Sequence, residues 1–186
     1  MISKLRTLLA ISSILSAVGV WYVFYARIST NDAVRQANEA VDVAVALSRQ
    51  APAKSREVDA LLQEATFKSE RAKLTAAARE TSRLYGEAAA AFKTAADKTT
   101  IAVEASDTEA ERTYYSMKRD SLLKRAETAE AGQSGFALAA DESIADLATL
   151  IARMEPHAVR AETARAEAKR LAAEAEAFRE RHRDKF

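Results

Sequence analysis

The sequence predicts an all-α chain, in which one N-terminal transmembrane helix continues into an elongated helical-hairpin or coiled-coil bundle of Ala-rich helices. Three observations carry that prediction. Residues 8–25, LLAISSILSAVGVWYVFY, hold no charge. After Tyr25, Ala, Glu, Lys, Arg and Leu make up 96 of 161 residues, the bias of long helices. Only three glycines and two prolines interrupt that stretch. Few large apolar side chains can also mean disorder, but net charge here is only +1 and Ala is the best helix former, so helix is the reading.

The chain divides into a short tail (1–7), an anchor (8–25) and an extramembrane helical body (26–186). About 20 apolar residues cross a bilayer's hydrocarbon core, and 18 lies near the lower limit. A cleaved signal peptide would have a shorter apolar region and a small-x-small site. Ala17-Val18-Gly19 is a weak site of that kind, yet the apolar run continues beyond it. Leu8, Leu9, Ile11, Ile14, Leu15, Val18, Val20 and Val23 supply the apolar surface, and Trp21, Tyr22, Phe24 and Tyr25 gather at one end, as in an aromatic belt. An uncleaved signal-anchor is therefore expected, with a cleaved signal or a buried soluble helix as the other readings. Lys4 and Arg6 precede the run, and Arg27 and Arg35 follow it. Counted with the free amino terminus, the N-terminal side carries a slight excess, which favours a cytoplasmic tail and an exported body. A bacterial inner membrane facing the periplasm is favoured, with an organellar membrane as the alternative.

The first helix is expected to leave the membrane without a stop and to end near Arg49, because Pro52 disfavours helix at Ala51. A second runs from Pro52 to Glu104, with the proline in its first turn. Around 105–108, Ser106/Glu109 and Thr108/Glu111 both match the capping box. A third helix reaches Ala131, where Gly132-Gln133-Ser134-Gly135 reads as a turn. A fourth covers 136–153, and Pro156 restarts the chain into a fifth. Breaks thus fall near 51–53, 105–108, 132–135 and 155–156.

Late in the chain, Ile144, Leu147, Ile151 and Met154 alternate spacings of three and four, as do Ala161, Ala164, Ala168, Leu171, Ala175 and Phe178. This is the seam of a coiled coil, with a register slip at Pro156. It serves either packing within the chain or a partner helix. Alanine buries little area, so such helices need close approach or many neighbours. Self-association or a protein partner is expected.

The charged residues read as solvated helix faces. Glu64/Lys68, Glu70/Lys73, Asp120/Lys124, Glu80/Arg83, Glu162/Arg165, Glu167/Arg170 and Glu176/Arg179 are each three or four apart. Arg179, Arg181, Arg183 and Lys185 suit the negative end of a helix, or contact an anionic surface. Mixed charge without a basic excess argues against nucleic acid.

No site chemistry is expected, neither catalytic, cofactor nor metal. Without cysteine there is no thiolate nucleophile, disulfide or Cys zinc site. His157 and His182 lack Glu-x-x-His spacing. Ser134 lacks the spacing of a nucleophile elbow, and no phosphate-binding glycine loop is present. The expected role is a non-enzymatic tether or scaffold for a membrane-associated complex, acting through coiled-coil contacts. The alternative is a helical ligand-binding or sensory ectodomain that signals through a partner. In arrangement the layout resembles the front half of bacterial chemoreceptors and sensor kinases, and also the inner-membrane member of a phage spanin pair.

Overall fold

The computed structural model describes residues 32–186, which form helices and contain no strand. The expected anchor, 8–25, lies outside the described residues. Among the described residues no helix is long and apolar enough to cross a membrane.

The helices are α1 (Asp32–Ser48), α2 (Ala51–Leu61), α3 (Glu64–Phe67), α4 (Arg71–Glu104), α5 (Glu109–Ala139) and α6 (Leu147–Arg181), followed by a 3-10 turn at Arg183–Lys185. α1 and α2 pack on α4, α4 on α5, and α5 on α6. Each pass is antiparallel to the one it packs on, giving a bundle of four columns. At about 1.5 Å per residue, the 34 residues of α4 span about 51 Å.

The width of each buried stripe explains this order. α4 buries adjacent pairs (Ala77/Ala78, Leu84/Tyr85, Ala88/Ala89, Ala95/Ala96), so it presents two faces, one to α1 and α2 and one to α5. α5 does the same with Tyr114/Tyr115, Ser121/Leu122, Thr128/Ala129 and Gly135/Phe136. α6 buries a single stripe, Leu150, Met154, Ala158, Ala161, Ala164, Ala168, Ala172 and Ala175. One-sided helices belong on the outside of a bundle and two-sided ones inside. Two buried hydroxyls of α4 return to backbone carbonyls one turn back: Thr81 donates to Ala77 O at 2.7 Å and Thr99 to Ala95 O at 2.8 Å.

The helix ends differ from expectation in three places. The stretch 52–104 is two antiparallel helices, reversing at 62–70 without glycine or proline. Leu62 (1 % exposed) and Phe67 (3 %) plug the core, while Thr66 Oγ1 donates to Leu61 O at 3.2 Å. Residues 132–135 are interior to α5 and do not turn. Gly132 lies against the Tyr85 ring, where an added Cβ would sit 3.0 Å from Cδ1, and Gly135 faces His157. Their smallness serves helix contact, which a turn reading misses. The reversal comes instead at 140–146. There Asp141 Oδ1 accepts from Ser143 N at 2.9 Å, and Asp146 caps α6 by accepting from Thr149 N at 2.8 Å. α6 then runs through Pro156 without restarting. Pro156 is on the exposed face, so water can take up the Ala152 carbonyl that the proline leaves unpaired. Of the two capping boxes read from the sequence, Thr108/Glu111 forms: Glu111 N donates to Thr108 Oγ1 and Thr108 N to Glu111 Oε2, both at 3.1 Å.

Candidate interaction surface

The seam residues are distributed unevenly. Met154, Ala161, Ala164, Ala168 and Ala175 are buried on α6, which packs on α5. Ile144 is buried within the 140–146 turn. Leu147, Ile151, Leu171 and Phe178 are only partly buried. The filled stripe takes Leu150, Ala158 and Ala172 in their place. The helix is continuous through Pro156, so the contact follows one 3.6-residue stripe, where a strict seam with a slip had been expected. Six of its eight buried residues are alanine, which lets two helices approach to the short end of the usual spacing of roughly 8–10 Å.

A smooth alanine stripe says little about axial register, and polar side chains supply it. Lys118 is wholly buried on α5, with Nζ 2.7 Å from Glu176 Oε1 on α6. Tyr114 OH donates to the same oxygen at 3.2 Å, and Arg179 holds Oε2 at 2.9 Å. Ser121 Oγ donates to Ala168 O at 2.9 Å, one turn further along. Burial pushes the Lys118 ammonium down to about 8, with Glu176 acting in the opposite sense. Neither residue had been singled out as a buried pair. The signal available was positional: Tyr114, Lys118, Ser121 and Arg125 repeat at spacings of three and four along one face.

The cluster around Tyr114 draws on all four columns: Val34 from α1, Ala102 from α4, Tyr114 and Tyr115 from α5, and Ala175 from α6. The Phe186 ring closes on Tyr114 with centroids 5.4 Å apart. We call this the proximal end, because α1 begins here. The distal end carries the 62–70 and 140–146 turns, tied together by Arg71 on Asp141 O and by Arg79–Glu142 at 3.2 Å.

A second polar feature lies between α2 and α4. Asp59 is largely buried on α2, its Oδ2 has no hydrogen-bond partner, and burial pushes its carboxyl up to about 6. Beside it Tyr85 stacks on Phe136, 5.4 Å between centroids. An open groove of about 460 Å³ runs along the same helix pair, lined by Lys54, Glu57, Leu61, Lys73, Ala77 and Glu80.

His157 sits against Gly135, and His182 stacks on Phe178 with Nδ1 2.9 Å from Phe178 O. Ser134 is exposed on α5. Among the described residues no group of three or more His, Asp or Glu is placed to hold a metal ion. No family model, curated protein or solved structure matches the chain.

Proposed function

We propose that this protein is a single-pass, membrane-anchored helical scaffold that tethers a membrane-associated complex through helix–helix contacts of coiled-coil type. The observation that supports this reading is the uncharged 18-residue segment 8–25, placed six residues ahead of an antiparallel helical body. The inner face of α6 is taken up by α5, so partner contacts fall on outer faces. Val43 on α1 and Val159 on α6 are more than half exposed there. Exposed charged residues such as Arg160 and Arg170 also lie on α6, charges of the kind that select partners at coiled-coil flanks.

The test is the mass and content of the particle formed by the full chain, extracted gently from its own membrane. Light scattering gives the mass and mass spectrometry the companions. A homo-oligomer or a defined set of companions is expected. A lone monomer would overturn the scaffold reading in favour of a ligand-binding or sensory ectodomain. A protein released from membranes by an alkaline wash would overturn the anchor.

A further inference from the structure

We infer that the proximal end of the bundle faces the phospholipid headgroups of the bilayer that holds segment 8–25, with the basic last turn of α6 as its contact edge. This rests on the anchored reading above and adds the orientation of the body and the surface that touches lipid.

The first argument is covalent length. From Tyr25 to Asp32 the chain advances seven residues, which span at most about 25 Å even when fully extended. α4 alone is about twice that length, and α1 starts at the proximal end. An anchored chain therefore holds its proximal end near the bilayer and its distal turns away from it. The second argument is topology. Four antiparallel columns return the chain to its starting end, and the Phe186–Tyr114 contact shows that the last residues fold back there.

The third argument is chemical. The proximal end has two edges of opposite character. The α4–α5 turn exposes Glu104, Asp107 and Glu109. The α6 edge carries Arg179, Arg181, Arg183 and Lys185 against Glu180 and Asp184. Arg179 is committed to Glu176, and Arg183 lies 3.0 Å from Glu180. Arg181 and Lys185 are exposed, and Phe186 is nearly half exposed. A surface of anionic phospholipid headgroups attracts cations by about 1 kcal/mol each and repels carboxylates. The bundle accordingly leans on its α6 edge, with the α4–α5 turn held off.

The chain has no cysteine, so single-cysteine variants report cleanly. Asp184→Cys marks the α6 edge, Asp107→Cys the α4–α5 turn and Glu142→Cys the distal end. Each full-length protein carries a fluorophore and is reconstituted in vesicles of neutral lipid with phosphatidylglycerol and headgroup-level brominated lipid. Flotation first reads whether the protein stays with the vesicles. Quenching is expected to be strongest at 184, weaker at 107 and absent at 142. The 184-over-107 difference should vanish in neutral vesicles, and also when Arg181, Arg183 and Lys185 are all changed to Gln. Quenching at 142, or at 107 as strong as at 184 in anionic vesicles, overturns the proposal. A difference that persists in neutral vesicles removes the headgroup contact. Failure to float overturns the anchor itself, a result read separately from the orientation.

Discussion

Asp59 shows how one buried carboxylate shapes stability against pH. Its carboxyl moves from an ordinary 3.8 up to about 6 because burial disfavours the charge. Between those values the folded chain keeps a proton that the unfolded chain has released. Stability therefore falls as pH rises from about 4 to about 6, and the loss is complete above that. Asp59→Asn should stabilise the protein by about 1–2 kcal/mol at pH 7 and leave it nearly unchanged at pH 4. Urea unfolding at the two pH values checks this, and equal effects at both would remove burial of the charge as the cause. Lys118 carries a second prediction. Lys118→Met leaves Glu176 in a half-buried site with only Arg179 and Tyr114, at a cost of about 3 kcal/mol. Lys118→Met with Glu176→Leu should recover most of that loss. A single variant no worse than the double would mean the two side chains are not coupled. Such pairs were the least legible feature of the sequence. Spacing along one helix predicted Asp120/Lys124 and Glu167/Arg170, yet Lys124 reaches Glu127 on its own helix and Glu167 across to α6, and Arg170 turns to Glu174. Partners on a neighbouring helix compete with those one turn away, and spacing says nothing about neighbours.

At the scale of the element, helix formation was plain in the Ala-rich composition and in the Thr108/Glu111 box, but the positions of the reversals were not. Glycine and proline are read as breakers from their backbone preferences. Here Gly132 and Gly135 are helix-contact residues and Pro156 is a solvent-side passenger. The two reversals that sequence reading missed rest on short polar side chains at 140–146 and on core insertion of Leu62 and Phe67 at 62–70. The first was present as Asp-x-Ser and Asp-x-x-Thr. The second is tertiary and has no local signature. The glycines make opposed predictions. Gly132→Ala drives a Cβ to 3.0 Å from Tyr85, whose ring is fixed by its stack on Phe136. It should destabilise by about 1–3 kcal/mol despite the gain in helix propensity. Gly135→Ala meets only His157 Cβ, at 3.6 Å, and should stabilise by up to about 1 kcal/mol. Thermal melts of the two variants moving in the same direction would contradict the contact assignment.

For the whole molecule, packing is uneven. α4, α5 and α6 share long interfaces, while α2 is short, bounded by turns on both sides, and rests chiefly on α4, carrying the Asp59 Oδ2 that has no hydrogen-bond partner. Local opening should begin where few buried contacts hold a segment. Hydrogen exchange is expected to be fastest, among the helices, in 51–67 and slowest in the middle of α4 and α5. Protection in 51–67 equal to that of α5 would show the bundle opening as one unit.

The return of the chain to its starting end has a mechanical consequence. A load applied between the first residue of α1 and the last residues of α6 does not shear the four columns along their length. It prises α6 off α5 from one side, meeting the Lys118–Glu176 pair and then Ser121–Ala168 in turn. Peeling breaks contacts one after another, where shear must break them together. Such a bundle yields at low force when tugged between its termini, and resists when pushed or pulled end to end.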